Sequence, residues 1–460
     1  MSQRGCFSTM EAYMKTSRRR FIRQVLMVGP VAMTLWFETD SAWAEGAECS
    51  LPDPGDPLRF IPNEPTVRTR YSAAELADPS RAAQLASFRS AIGKIRALPP
   101  DDVISWTKQI AQHCIHCARS NTENIHYDWL FLPWHRAFLY FLERIARNLQ
   151  GDDDLRLVYW DWENPQSRTL PTIYAPSGQP LYWKKRNLKG DNWPLPDSQV
   201  NVRPLLAIPD FTTFGGSAEQ KEPVPAAYSG PHANVHNAFS PGDMGDLQYS
   251  PRDPVFYAHH GNIDRLWSSW VAAGHDNPDF GDAKVYFYDE NRVWRYMFLN
   301  DLRDERALGY EYSSLMSSGM DEGVLKMSTL GRQKNTLAFS PEMIASLKSP
   351  DPEFLVIENM SIADLPADAV NFGVFVGTPK KGTESSEAKG FLGMASRVLS
   401  SGHDHSQEPL STVFEVTDRL ASLAEKGKGG LDLHVAALDA RGRTITEAIP
   451  LVARNVHIIR

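Results

Sequence analysis

Thirteen histidines are spread over 460 residues, and eight of them fall in two short windows. The first window holds His113, His116, His126 and His135; the second holds His232, His236, His259 and His260. His232 and His236 are four apart, so a helix puts both rings on one face. His259 and His260 are adjacent and diverge by about 100° on a helix, so only one of them can face a common point. Neutral imidazole binds zinc, copper, iron and nickel. Neither window carries an acidic residue at the His-x-x-Glu-His or His-Glu-x-x-His spacing of a zinc site. Six imidazoles without a carboxylate point to two metal ions with three rings each, and they favour copper.

Rings of this kind need rigid elements to hold them. Residues 79–98 repeat apolar side chains at helical spacing (Ala82, Leu85, Phe88, Ile92, Ile95). Asp101 and Asp102 read as the opening of a second helix that ends near His113. A third, amphipathic helix is expected over 134–148, and two more over 232–239 and 254–273. Residues 114–132 read as irregular and 45–70 as an extended arm. The Pro-, Asn- and Trp-rich stretch 163–231 reads as mostly loop, and loops of that length are usually functional. Residues 313–351 read as a linker. From 352 to 460 short alternating strands dominate (354–358, 370–376, 431–437, 456–459), which predicts an all-β, sandwich-like C-terminal domain with its own core. The polar stretch 377–409 is expected to be an exposed, protease-accessible loop. It contains His403-Asp404-His405, which reads as a solvated loop in preference to a further metal site.

The composition excludes several classes. With 42% hydrophobic and 23% charged residues the chain is an ordinary globular one. A net charge of −8 speaks against a nucleic-acid partner. Four cysteines are too few for a disulfide scaffold. Residues 1–44 stand apart. Ser17-Arg18-Arg19-Arg20-Phe21-Ile22-Arg23 has the shape of a twin-arginine signal, an apolar run follows over 25–37, and Ala42-Trp43-Ala44 offers a cleavage site. The run is too short to remain as a membrane anchor. The reading is a protein passed to the twin-arginine export machinery, bound for a periplasm or the outside, and carrying a cofactor loaded before export.

The residues around the histidines add a resemblance. His113-Cys114-Ile115-His116-Cys117, then His126, then Phe131-Leu132-Pro133-Trp134-His135-Arg136 resembles the copper A region of tyrosinases and plant-type polyphenol (catechol) oxidases. His232-x-x-x-His236, Asp243-Met244-Gly245 and the run from Arg252 through His259-His260 to Trp267 resemble their copper B region. Phe287-Tyr288-Asp289-Glu290-Asn291, Tyr310-Glu311-Tyr312 and Asn371-Phe372-Gly373-Val374 are similar to later segments of the plant enzymes. The resemblance implies a mainly α catalytic domain over 45–312, a four-helix bundle around a type 3 dicopper centre. It implies copper A on His113, His126 and His135, and copper B on His232, His236 and His260. His259 is then an outer neighbour and His116 a loop residue. The implied reaction is oxidation of o-diphenols to o-quinones by O₂, with ortho-hydroxylation of monophenols left open. An O₂ carrier of the hemocyanin type and a zinc hydrolase are the competing readings.

The resemblance also implies a thioether between Cys117 and His126 and a disulfide between Cys49 and Cys114. Where plant-type enzymes carry a Phe over copper A, this chain has Leu247, so access is expected to be wider. Where many relatives carry a Glu before the first copper B histidine, this chain has Tyr228, and Ala233 follows His232. Asn237 can offer an amide, and Glu222 or Asp243 a carboxylate. Asp264 is a candidate to orient a ligand ring, or to pair with a cation. The C-terminal domain is expected to lie over the site mouth and to be released by cleavage within 313–351. The oligomeric state is left open.

Overall fold

The computed structural model describes residues 49–117, 125–187, 194–218, 224–317, 353–399, 408–417, 419–426 and 430–459, with short strands at 328–329, 331–333 and 336–338. The signal segment 1–44, Glu222, the 403–405 trio and most of the expected linker lie outside the described residues. Residues 46–460 form one compact unit.

Among the described residues, five helices longer than five residues build the catalytic part: α1 (Ala82–Ala97), α2 (Trp106–Cys114), α3 (Phe131–Gln150), α4 (Ala233–Ala238) and α5 (Val255–Ala272). α2 starts later than the acidic pair suggested. Ser105 caps it by accepting from the Lys108 N–H at 3.3 Å, while Asp102 turns outward to Arg292 at 2.7 Å. α3 tolerates Pro133 because a first-turn N–H has no helical partner to lose. It ends at Gly151, whose φ of 66° is the left-handed conformation that favours glycine. α4 follows a wide turn over Tyr228–His232 in which Gly230 is non-helical. At the start of α5 the Asp253 carboxylate accepts from the Val255 N–H at 3.0 Å, and Arg186 of the long loop clamps that carboxylate at 2.6 and 2.8 Å. Gly261, beside His260, is needed for close packing: a Cβ there would meet the Val158 carbonyl oxygen at 2.8 Å.

Strands zip the two ends of this part together. β1 (Leu58–Arg59) joins β4 (Trp294–Phe298) and β3 (Lys284–Tyr288), and β2 (Arg68–Arg70) runs parallel to β5 (Tyr310–Tyr312). The β2–β5 pair feeds a buried polar hub. Asp264 accepts from the hydroxyls of Tyr310, at 2.6 Å, and Tyr312, and it pairs with Arg136 and, at 3.3 Å, with Arg70. Burial alone would raise the Asp264 carboxyl, but Arg136 and Arg70 hold it below its usual value. Asp264 thus fastens α3, α5 and the two strands to one another. Its cations are the buried Arg136 and Arg70, whereas the sequence suggested Arg265 or another surface cation, and Arg265 pairs with Glu163 instead.

Among the described residues the C-terminal part is two sheets and one helix, Arg419–Lys426, so it is not the all-β part expected. The larger has the order β11 (Phe391–Ser396), β10 (Asn371–Val376), β13 (Gly430–Leu438), β8 (Thr336–Ala338), β7 (Gly331–Gln333), with Ile449–Pro450 also paired to β13. The other has the order β12 (Leu410–Glu415), β9 (Phe354–Met360), β15 (Asn455–Ile459), β6 (Ser328–Thr329). Apart from that helix, an α-helical catalytic part followed by a β part is the fold class expected.

Two further expectations about the C-terminal part change. Its core is not separate: one buried apolar cluster holds Ile110, Phe138 and Trp270 together with Phe354, Leu433 and Ile458. Polar bonds cross as well. Ser411 N–H donates to the Val224 carbonyl at 3.1 Å, the Ser229 hydroxyl to the Ser411 carbonyl, and Arg203 pairs with Glu415 at 3.1 Å. Nor is 377–409 a wholly exposed loop. Leu392, Ala395, Ser396, Arg397 and Val398 are buried, because this run supplies β11 and then turns onto the catalytic part.

Candidate metal centre

Each element delivers rings to one buried point between α2, α3, α4 and α5. α2 carries His113, the segment before α3 carries His126, α3 carries His135, the turn before α4 and α4 itself carry His232 and His236, and α5 carries His259 and His260. All seven are buried. The ring centroids of His113 lie 5.0 Å from His126 and 5.6 Å from His135. His232 lies 4.6 Å from His236 and 5.1 Å from His260. His135 stacks on His260 at 4.2 Å, so the two groups adjoin.

Two groups have ligand atoms close enough to share an ion: His232, His236, His259 and His260, and His113, Cys117 and His126. No carboxylate enters either, and Asp243 is instead held by the Trp183 indole N–H at 3.0 Å. Cys117 takes the place that His135 was expected to fill in the first group. Burial pushes its thiol well above the usual value in the metal-free protein.

Backbone carbonyls set the direction of three rings. The Nδ1–H of His135 donates to Phe131 at 2.7 Å, that of His232 to Tyr228 at 3.3 Å, and that of His236 to Met244 at 2.6 Å. A carbonyl can only accept, so each ring keeps its proton on Nδ1 and turns a bare Nε2 inward, as metal-binding histidines do. The Nε2 atoms of His113, His135 and His232 are buried with no hydrogen-bond partner among the described residues. The Nε2 atoms of His236 and His260 converge to 3.4 Å. That is roughly the separation of two nitrogens each about 2 Å from one tetrahedral ion. An all-imidazole set of this kind fits copper.

Burial also keeps the rings neutral. It lowers His135 to about 3, against the opposing bond to Phe131, and His236 to about 4, against the bond to Met244. His113, His232 and His260 are pushed well below their usual value, first by burial and then by neighbouring imidazoles: His135 in the case of His113 and His260, and His236 in the case of His232. The unfolded chain takes up these protons near 6.5, so below that pH it binds more protons than the metal-free fold. The metal-free protein should therefore be most stable above pH 6.5 and weaken as pH falls toward 4. His236 alone accounts for on the order of 3 kcal/mol. Urea midpoints that do not fall between pH 6.5 and 5, above the carboxylate range, would contradict this.

One C-terminal segment packs against residues next to the rings. Val398 packs with Cys117, Ala233 and Leu247. Its N–H lies 3.4 Å from the Tyr228 hydroxyl. On either side the Asn237 amide donates to the Arg397 carbonyl at 2.9 Å, and the Leu247 N–H to the Leu399 carbonyl at 3.1 Å. Tyr228, Asn237 and Leu247, the three residues singled out beside the copper ligands, therefore all meet one C-terminal segment. Burial pushes the Tyr228 phenol up to about 12, so it does not replace the missing Glu as a base. Cys117 Sγ lies 3.9 Å from His126 Nδ1, and Cys49 and Cys114 form a disulfide with Cα atoms 5.3 Å apart. His116 is half-buried against Trp134 at 5.5 Å. Val398 and Trp162 are the residues that sequence reasoning missed. For Val398 the available signal was the apolar alternation from Phe391 to Leu399 inside a polar stretch.

Residues 103–204 and 177–273 match the common central domain of tyrosinase. The chain is 32% identical over 310 residues to a chloroplastic polyphenol oxidase of Vitis vinifera, covering 58% of this chain and 49% of that one. Over these residues the chain is similar to the tyrosinase and polyphenol oxidase family. It is also 32% identical over 311 residues to the latent form of a chloroplastic polyphenol oxidase from Prunus armeniaca, covering 57% of this chain and 49% of that one. It thus spans about half the length of these curated relatives. The fold matches that of latent apple tyrosinase with a TM-score of 0.65 at 23% identity, over 88% of this chain and 100% of that one. These chloroplastic relatives overturn the expected twin-arginine export to a periplasm or the outside. An arginine-rich run before a short apolar stretch is read by receptors, and similar ingredients serve other destinations. No described helix is long and apolar enough to cross a membrane.

Proposed function

We propose that this protein oxidises small o-diphenols to o-quinones with O₂ at a pair of copper ions. The observation that carries this is the inward set of bare imidazole nitrogens, with His236 and His260 converging at 3.4 Å and no acidic ligand nearby. Copper A would be held by His113, His126 and His135, and copper B by His232, His236 and His260. The copper pair would supply the O₂ binding and the two-electron acceptance that these side chains lack. The protein's own part is to fix ring direction through the carbonyls of Phe131, Tyr228 and Met244, and to keep the cavity dry. Leu247 forms one wall of the mouth, and Asn237 offers its amide to substrate once Arg397 leaves. Val398 is the plug of a latent state. The domain limits proposed are 45–312 for the catalytic part, 313–351 for the connection and 352–460 for the covering β part.

Oxygen uptake by the copper-loaded protein, with a monophenol and its o-diphenol side by side, tests this reading. Uptake is expected with the diphenol, and the monophenol rate reports hydroxylation. Reversible O₂ absorbance without turnover would favour a carrier, and selective retention of zinc a hydrolase.

Cys117 and His126 are proposed to form a thioether, which would hold the one copper A ring that no helix carries. Cys117 Sγ lies 3.9 Å from His126 Nδ1 and 3.4 Å from His113 Nδ1, so distance does not choose between the two rings and the family resemblance selects His126. Digestion of the copper-loaded protein should yield residues 117 and 126 in one cross-linked peptide, lighter by about two hydrogens than its parts. Complete alkylation of Cys117 in that form would remove the idea.

A further inference from the structure

The second metal group contains four imidazoles, one more than a three-ring site needs. His259 is the spare by its backbone position, yet its ring does not stand clear of the others. It lies 5.4 Å from His232 and 4.8 Å from His236, and its ligand atom shares their group. A bare nitrogen on His259 would therefore compete with His260 for the same ion.

Trp162 bears on that competition. It is fully buried in the segment that leads into the long loop, and its indole N–H donates to Nδ1 of His259 at 3.2 Å. Indole nitrogen has no lone pair to accept with, so Nδ1 of His259 must be the acceptor. A neutral imidazole has one acceptor nitrogen and one N–H. With Nδ1 taken as acceptor, the proton sits on Nε2, and an N–H cannot bind a metal. His259 Nε2 lacks a hydrogen-bond partner among the described residues just as those of His113, His135 and His232 do, so the Trp162 bond alone sets this ring apart. The wiring is the reverse of that in His135, His232 and His236, where Nδ1 donates and Nε2 is bare.

We propose that Trp162 is a positioning residue: by occupying the Nδ1 lone pair of His259 it keeps that ring out of the copper B ligand set and leaves the third place to His260. The proposal rests on the ligand assignment given above. It makes Trp162 act through His259 and not by filling space, so the two residues must be energetically coupled.

A double-mutant cycle read on copper, not on turnover, tests it. The full chain is loaded with copper, and copper per chain and the rate of stripping by a chelator are measured for Trp162→Phe, His259→Leu, the double variant and His260→Leu. His259→Leu should keep two copper ions per chain and strip within about twofold of the parent. Trp162→Phe should change the stripping rate by about tenfold, the scale of losing an outer partner of a metal site. That change should vanish when His259 is already Leu. A Trp162→Phe effect of equal size with and without His259 would show a packing role only and overturn the proposal. Loss of one copper in His259→Leu would make His259 a ligand and overturn it too, and this reading stands even if Trp162→Phe fails to fold. His260→Leu should lose one copper. If it keeps both, the ligand assignment fails, while the Trp162–His259 coupling is still read separately.

Discussion

Replacing His135 by alanine is expected to leave the loaded protein short of its two copper ions and to lower o-diphenol oxidation by more than about a hundredfold, beyond the cost of losing an outer partner. His135 adjoins both groups: it lies 5.3 Å from His126 and stacks on His260 at 4.2 Å. Its Nδ1–H is committed to Phe131 and its Nε2 has no partner among the described residues. In the metal-free state that bare nitrogen is a buried polar atom without compensation, which costs free energy. The metal-free variant should thus lose little stability beyond the cavity it leaves. Metal binds the native state alone and stabilises it, so the parent should gain in thermal midpoint on copper loading. The variant should show a much smaller gain. Two copper ions per chain and an undiminished rate in His135→Ala would sink the assignment.

Sequence alone reaches the helices and the rings because both signals are local. Ring-bearing residues at 113, 135, 232, 236 and 260 sit in apolar stretches of helical period, and His232 and His236 share a face by spacing. The start of α2 was misplaced because two acidic residues at 101–102 mimic a first helical turn, while the cap used is Ser105. What sequence does not reach are partners far apart in the chain. Asp264 meets Arg136 and Tyr310, Trp162 meets His259, and Val398 meets Leu247. The sequence prefers His260 to His259 only through the family resemblance, and no spacing rule contains the bond from Trp162 to His259. The stretch 377–409 looked solvated because Lys380, Lys381, Glu384, Glu387 and Lys389 dominate its first half, which hides the strand that follows.

Val398→Gly is expected to raise kcat/KM for a simple catechol by about tenfold with copper content unchanged. Burying a Val side chain contributes about 1.5–3 kcal/mol, and each 1.4 kcal/mol is a factor of ten in the ratio of covered to open protein. Substrate binds only the open fraction, so its apparent affinity scales with that fraction. The bonds from Asn237 and Leu247 to the backbone of Arg397 and Leu399 survive this change, so activation should be partial. Cleavage within 313–351 alone should activate less than a separate-core lid would. The bridge from Ser411 to Val224, the Arg203–Glu415 pair and the shared apolar core still hold the β part down. Leu247→Phe added to Val398→Gly should slow bulky phenols more than catechol, because a larger ring then lines the wall that Val398 vacates. If Val398→Gly is no faster than the parent, the segment is packing and not a plug. If Leu247→Phe slows bulky and small phenols alike, substrate enters past some other wall and residue 247 does not form the gate.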